Sequence, residues 1–112
     1  MITPYTPAVT KNGFIFVSGQ IHLDENGKLF EGTIEEQTHL IMKKLQSLLE
    51  KEGSSFGGVV KATIYTTDLS LYSQVNEVYV SYFTSNLPSR EMVEVSKLPL
   101  GARLEISMIA AK

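Results

Sequence analysis

Several short runs along this chain alternate apolar residues in the way that predicts β-strands. β-Branched and aromatic residues dominate these runs, and glycine or turn residues bound them. They are residues 13–19 (GFIFVSG), 59–69 (VVKATIYTTDL), 91–95 (EMVEV) and 103–111 (RLEISMIAA). The Asn-Gly pair within residues 24–28 is a strong hairpin signal, so Leu29 and Phe30 are predicted to return as a short further strand.

Two other segments repeat apolar residues at helical spacing, which predicts amphipathic helices. The first opens with a capping box of Thr33 and Glu36 and ends near Gly53, a residue type common just after helix ends. Its apolar positions are 34, 41, 45, 48 and 49. The second segment covers residues 71–85, with apolar positions 71, 75, 78, 79, 82 and 83.

The predicted order of elements is β-β-α-β-α-β-β, within a single domain that spans residues 1–112. This order favours an α+β fold in which both helices pack on one face of a mixed β-sheet. Phe14 and Phe16 alternate with Ile15 and Val17, so both faces of the sheet are apolar. Since two helices cover one face only, the second face is expected to be covered by another copy of the chain.

Composition excludes several classes of function. The formal net charge is −2 and no basic run is present, which argues against a nucleic-acid partner. The chain has no cysteine, and His22 and His39 lack the spacing of metal ligands, so no metal site is expected. No apolar run approaches the roughly 20 residues of a membrane-spanning helix, so no membrane partner is expected and the predicted location is cytoplasmic.

Two charged residues lie inside or at the start of predicted strands. Arg90 precedes one strand, and Glu105 lies between Leu104 and Ile106 in another. A guanidinium binds a carboxylate through two parallel hydrogen bonds, and a partly desolvated carboxylate has a raised pKa that suits a general base. The alternatives are exposed edge residues or a buried ion pair. If the last two strands formed a simple hairpin, Glu105 would face Glu94, so the sequence alone does not bring Arg90 and Glu105 into one pocket.

Segments over nearly the whole chain resemble those of the RidA (YjgF) family of reactive-intermediate imine deaminases. They are PY at 4–5, FVSGQI at 16–21, VVKATIYTTDL at 59–69 and VNEVY at 75–79. The most specific is a C-terminal signature of Pro88, Ser89, Arg90, Val93, Ser96, Leu98 and the LEI at 104–106. The resemblance implies a fold like that of the trimeric bacterial type of chorismate mutase. It also implies a homotrimer with its ligand sites in the clefts between subunits.

The resemblance further implies roles for individual residues. Arg90 would bind the carboxylate of the substrate, and Glu105 would orient and deprotonate the attacking water. The backbone amides of Gly19 and Met92 would lie near the reacting carbon, and glycine allows a ligand to approach a strand backbone closely. The remaining polar residues of the site would be Tyr5, Ser18 and Asn76.

The implied substrates are 2-imino acids and their enamine tautomers, which pyridoxal-phosphate enzymes release. A 2-iminobutanoate/2-iminopropanoate deaminase hydrolyses them to 2-oxo acids and ammonia and needs no metal or cofactor. The alternative is a non-enzymatic regulatory protein that binds small carboxylates in the same cleft. Because binding alone would need only Arg90, the presence of Glu105 as well favours the enzyme.

Overall fold

The computed structural model describes residues 3 to 112, and its elements follow the predicted order of β-β-α-β-α-β-β. They are β1 (Ala8–Lys11), β2 (Phe14–Ile21), α1 (Ile34–Lys51), β3 (Val59–Thr66), α2 (Tyr72–Val80), β4 (Ser89–Glu94) and β5 (Leu104–Ala111). The five strands form one sheet in the order β1-β2-β5-β3-β4. All neighbouring strands are antiparallel except β3 and β4, which run parallel and are joined by a crossover that contains α2. The predicted α+β fold is confirmed.

The N-terminal hairpin differs from the one predicted. The turn at residues 24–28 does bring the chain back, since Leu29 bridges Leu23 and Phe30 donates its N–H to the carbonyl of His22, but this pairing is an isolated bridge and the predicted strand at residues 29–30 does not form. The partner of β2 is instead β1, joined to it by a turn at Asn12 and Gly13 with φ angles of 52° and 82°. The chain has two Asn-Gly pairs, and the one at residues 12–13 has the left-handed backbone that a tight hairpin turn requires.

The first helix has the predicted ends. Thr33 accepts a hydrogen bond from the backbone N–H of Glu36 at 3.1 Å, and the Glu36 carboxylate accepts one from the N–H of Thr33 at 2.9 Å. Gly53 follows the helix with a φ of +84° and donates its N–H to the carbonyl of Glu50, which closes the last turn. The second helix is shorter than its apolar pattern predicts. It ends at Val80, and Tyr82 and Phe83 pack against the core from the segment that follows it.

The two faces of the sheet have different neighbours. Side chains of one face share a single hydrophobic cluster with α1 and α2, and this face is called the helix face; its members on β5 are Leu104, Ile106, Met108 and Ala110. The opposite face is called the open face, and it presents Phe14, Phe16, Val9 and Val93. Phe16 keeps 47% of its surface exposed in the single chain. The predicted two-sided apolar character of the sheet is therefore confirmed.

Candidate functional site

Glu105 lies on the open face, at the bottom of a cleft of about 340 Å³. Its neighbours across the sheet are Ile21 on β2 and Tyr65 on β3. Three of the predicted site residues lie in the same cleft, namely Tyr5, Ser18 and Gly19. The wall is completed by Ile21, Leu23, Pro99 and Leu100. We call this the Glu105 cleft.

A β-bulge in β2 brings Gly19 against Glu105. The register between β2 and β5 shifts between Val17 and Gln20, so β2 has one residue more than its partner there. A Cβ atom at residue 19 would collide with the Glu105 carboxylate, so a side chain there would displace Glu105 from its present position. The bulge itself was not predicted from the sequence. A glycine inside an apolar strand was the available signal for it.

Ser18 ties the N-terminal segment to this cleft. Its hydroxyl donates to the carbonyl of Thr6 at 2.7 Å, and its backbone N–H donates to the carbonyl of Pro7 at 2.9 Å. These two bonds hold the segment that carries Tyr5 along the edge of the cleft. In the single chain, Ser18 therefore positions the N-terminal segment that forms part of the cleft wall.

The Glu105 carboxylate is partly withdrawn from water. Burial disfavours its charged form and raises the pKa of Glu105 above its ordinary value of 4.5. A carboxylate with a raised pKa is a stronger base than an exposed one. The cleft thus combines a basic carboxylate, a strand backbone without a side chain and a phenol at the rim.

Arg90 lies on the helix face at the edge of the sheet, opposite Ala62 on β3. Its guanidinium donates to the side-chain oxygen of Asn76 at 2.6 Å and contacts the hydroxyl of Tyr72 at 3.4 Å. It also lies 5.1 Å from the ring centre of Tyr79 and 5.6 Å from that of Tyr72. These four residues form the Arg90 cluster.

The guanidinium of Arg90 has no carboxylate partner within the described residues. The salt bridge present there joins Lys61 and Glu91 at 2.7 Å. Both of these residues lie on the open face, so Glu91 points away from the Arg90 cluster although it follows Arg90 in sequence. The positive charge of Arg90 is held by neutral groups and remains available to an anion.

A buried hydroxyl accompanies Arg90. The Tyr79 side chain is almost fully buried, and its hydroxyl has no hydrogen-bond partner among the described residues. Burial raises the pKa of Tyr79 to about 12, so the group stays a neutral phenol, while the charge of Arg90 acts in the opposite direction. The sequence analysis assigned Tyr79 to the core and did not predict this unpaired hydroxyl.

Met92 packs its side chain into the interior of the same chain. It lies opposite Ile64 on the helix face and packs against the hydrophobic core. Its strand, β4, is an edge strand of the sheet. This geometry fits a residue whose backbone, and not its side chain, would contact a ligand.

The predicted site residues therefore fall into two groups on opposite faces of the sheet. Tyr5, Ser18, Gly19 and Glu105 line one cleft, whereas Arg90, Asn76 and Met92 lie on the helix side. The hairpin considered for the last two strands does not form, because β3 lies between β4 and β5. A single chain does not unite Arg90 with Glu105.

The two histidines make hydrogen-bond contacts within the chain. The Nε2 atom of buried His22 accepts the backbone N–H of Arg103 at 2.9 Å, so its Nδ1 carries the proton and donates to the carbonyl of Phe30 at 2.9 Å. His39 is exposed and contacts the hydroxyl of Tyr82 at 2.7 Å. Within residues 3–112, no cluster of three or more metal-ligating side chains occurs. Over the same residues, no helix has the length and apolar character needed to span a bilayer.

Known proteins are similar to this chain in both sequence and fold. A family model described as Endoribonuclease L-PSP matches residues 1–112. The human 2-iminobutanoate/2-iminopropanoate deaminase is 38% identical over 97% of this chain and 80% of its own length.

Solved structures agree with the same relationship. A protein of the conserved Rid family from Yersinia pestis is 40% identical, with a TM-score of 0.95, over 100% of this chain and 90% of its own. TdcF of Escherichia coli, solved with bound serine, is 31% identical, with a TM-score of 0.93, over 100% of this chain and 91% of its own. The fold is that of the chorismate-mutase-like proteins, as the sequence analysis predicted. This chain belongs to the RidA (YjgF) family.

Proposed function

We propose that this protein is a 2-iminobutanoate/2-iminopropanoate deaminase that works in the clefts between the subunits of a homotrimer. The observation that carries the proposal is the pair of incomplete half-sites in one chain. One half holds a basic carboxylate beside a bare strand backbone, and the other holds a cation with no carboxylate partner. The name of the human relative supports the activity.

Assembly through the open face supplies what a single chain lacks. Exposed apolar side chains on this face, including Phe14 and Phe16, favour burial against another copy. If a second copy packs there with its β4 edge at the Glu105 cleft, Arg90 of the partner subunit faces Glu105. Each site then contains one cation and one base from different chains.

The chemistry follows from these two groups. The partner subunit's Arg90 would hold the carboxylate of the imino acid through two parallel hydrogen bonds. Glu105 would take a proton from a water molecule as its oxygen bonds to the C2 carbon and the electron pair of the C=N bond moves to nitrogen. Glu105 would then pass this proton to the nitrogen of the carbinolamine. Glu105 would next move the hydroxyl proton of the carbinolamine to the nitrogen as the C–N bond breaks, so ammonia leaves with the electron pair of that bond and the oxygen retained on C2 becomes the carbonyl of the 2-oxo acid.

Substitution of Glu105 by glutamine separates binding from catalysis. A coupled assay in which an amino-acid dehydratase generates 2-iminobutanoate would measure hydrolysis, and calorimetry would measure binding of 2-oxobutanoate. Glu105→Gln should bind nearly as well as the parent and lose hydrolysis by roughly 10²–10⁴-fold. Arg90→Ala should lose both, and Arg90→Lys should not restore them because an ammonium lacks the planar fork. Full hydrolysis by Glu105→Gln would exclude the role as base.

Mixing the two inactive variants tests whether each site uses two chains. In trimers that reassemble at random from equal amounts of Arg90→Ala and Glu105→Gln, about one quarter of the clefts combine an intact Arg90 with an intact Glu105. Roughly one quarter of the parental activity should return. The control mixes Arg90→Ala with a chain that carries both substitutions, and it should stay inactive. If the first mixture also stays inactive, the shared site is wrong.

The pH dependence gives a further test of Glu105. Because its pKa is raised and only the ionised form accepts a proton, kcat/KM should rise with pH through a midpoint above 4.5. The residual activity of Glu105→Gln should lack this acid limb. An unchanged limb in that variant would assign the titration to another group.

A non-enzymatic carboxylate-binding protein is the second candidate. It is favoured by the solved structure of the relative TdcF, which contains bound serine, an amino acid with a free carboxylate. The decisive outcome is a parent protein that binds 2-oxobutanoate in the calorimeter but never accelerates imine hydrolysis. In that case Glu105 would be a structural residue of the cleft.

A further inference from the structure

The Glu105 cleft has apolar lining residues that the proposed chemistry does not use. Tyr5, Ser18 and Glu105 provide its polar groups, and an apolar wall is formed by Ile21, Leu23, Pro99 and Leu100. The volume of about 340 Å³ falls within the range of small-molecule sites. A wall of this kind selects among ligands by the shape and polarity of their side chains.

Leu100 is the unusual member of this wall. Its φ and ψ angles are 60° and 16°, the left-handed region that glycine and asparagine favour and that a leucine adopts only under constraint. Its side chain is 70% exposed, more than that of the other large apolar residues in the described chain. Neither backbone preference nor burial in the core explains a leucine at this position. Residues held in such conformations cluster at ligand sites.

The turn that carries Leu100 is fixed at its base. Gly101 donates its N–H to the carbonyl of Leu98 at 3.3 Å, and Ala102 donates to that of Pro99 at 3.1 Å. The backbone N–H of Arg103 is held by the buried ring of His22. Leu100 is thus presented at the mouth of the cleft by a constrained turn.

We infer that Leu100 makes the Glu105 cleft selective for 2-imino acids with large apolar side chains. This inference rests on the proposed function, which fixes two of the three substituents on the C2 carbon. The carboxylate lies toward the partner subunit's Arg90, and the imine nitrogen lies toward Glu105 and Gly19. The third substituent is the side chain of the substrate, and the apolar lining residues of the cleft receive it.

The same geometry disfavours acidic substrates. A second carboxylate on the side chain would lie against the wall of Leu23, Pro99 and Leu100 without a counter-charge from these residues, and near the negative charge of Glu105. Substrates with short side chains would leave the wall uncontacted. The expected order of preference is therefore large apolar, then small, then acidic.

The test compares three ligands of graded side chain. Calorimetry would measure binding of 4-methyl-2-oxopentanoate, pyruvate and 2-oxoglutarate to the intact protein. The coupled assay would measure hydrolysis of the matching imines, generated by amino-acid oxidases. We expect the first ligand to exceed the second by at least roughly tenfold, since a single methylene in an apolar pocket is worth about 10–200-fold in discrimination.

Three variants separate the wall from the strained backbone. Leu100→Ala and Leu100→Gly both remove the Leu100 side chain from the wall, so both should reduce the ratio of large to small ligand by roughly tenfold. Leu100→Gly also relieves the left-handed conformation, so it should be the more stable of the two and guards against a loss that reflects misfolding. Leu100→Lys should raise the relative affinity for 2-oxoglutarate.

The outcomes distinguish this inference from the proposed function. Equal affinities for the three ligands, or an unchanged ratio in both the alanine and glycine variants, would overturn the selectivity while hydrolysis of the imines upheld the deaminase. Selective binding that is lost in both variants, but without any hydrolysis, would support the role of Leu100 and reject the deaminase. Failure to bind any of the three oxo acids would overturn both.

Discussion

The two faces of the sheet arise from the same alternation of residues but differ in how far they are buried. On the helix face, Ile15, Ile64 and Ile106 are fully buried by the two helices of the same chain. On the open face, Phe14 and Phe16 keep more than two fifths of their surface exposed. The open face therefore keeps an exposed apolar surface, whereas the helix face is covered by the chain's own helices.

The candidate site divides along the same line. Arg90 belongs to the completed face, where Asn76 and Tyr79 hold its guanidinium. Glu105 belongs to the open face, in the Glu105 cleft. The half-sites do not meet within one chain because the sheet separates them, and the proposed trimer would bring Arg90 of one copy to the Glu105 cleft of another.

The largest effect is expected from a substitution that disrupts the apolar surface of the open face. Phe16→Glu places a charge in the centre of the proposed interface, where its desolvation opposes assembly. The parent should scatter light as a species of three times the 12.4 kDa chain mass, and the variant as a single chain. Imine hydrolysis should fall to background because the cleft loses the partner subunit's Arg90.

A matched substitution places the same charge on the helix layer. Ser47 is exposed on α1, so Ser47→Glu should leave both the mass and the activity unchanged. If Phe16→Glu kept the parental mass, the open face would not be the interface. A parent that scattered as a monomer would contradict assembly altogether.

A smaller effect is expected on the helix face. Tyr79→Phe removes a buried hydroxyl that lacks a partner, so it should increase the free energy of unfolding by about 1 kcal/mol. Tyr82→Phe is the control, because the Tyr82 hydroxyl contacts His39, and its loss should lower stability by roughly 0.5–1 kcal/mol. Denaturant unfolding measures both. Destabilisation by Tyr79→Phe would indicate that assembly or a ligand gives this hydroxyl a partner.

The smallest expected effect is on the pH dependence of stability, through the buried His22. Burial, together with the charges of Arg103 and Lys44, lowers the pKa of His22 below 6.5, although its bond to the Phe30 carbonyl opposes the shift. Below pH 6.5 the unfolded chain then binds more protons, so the stability contributed by neutral His22 is present above that pH and is lost as pH falls through the folded pKa.

His22→Gln keeps a donor and an acceptor but does not titrate. The denaturant midpoint of the parent should therefore fall more between pH 7 and pH 5 than that of the variant. Parallel slopes for the two proteins would show that His22 is not the group responsible.

The local sequence was sufficient for most of the elements. The capping box at Thr33 and the glycine after α1 involve residues only a few positions apart, so their hydrogen bonds follow from the order of residues alone. The alternation of Phe14, Ile15, Phe16 and Val17 likewise predicts a two-sided strand, because the side-chain period of a strand is a property of the backbone. The error lay in the hairpin. The chain has two Asn-Gly pairs, and β2 pairs with β1 across the turn at residues 12–13, whereas the turn at residues 26–27 leads only to an isolated bridge.

The chemical character of the site residues was also readable from the sequence, but their arrangement was not. The raised pKa expected for Glu105 is present, but its neighbours in sequence, Leu104 and Ile106, lie on the helix face, so its desolvation comes from burial in the cleft. By contrast, the bulge at Gly19 and the opposite faces of Arg90 and Glu105 depend on strand pairs that lie far apart in the chain, such as Gln20 with Ile106 and Ala62 with Arg90. Such contacts arise from the packing of distant segments, so only the tertiary structure decides which charged side chains share a cleft and which lie on opposite faces of the sheet.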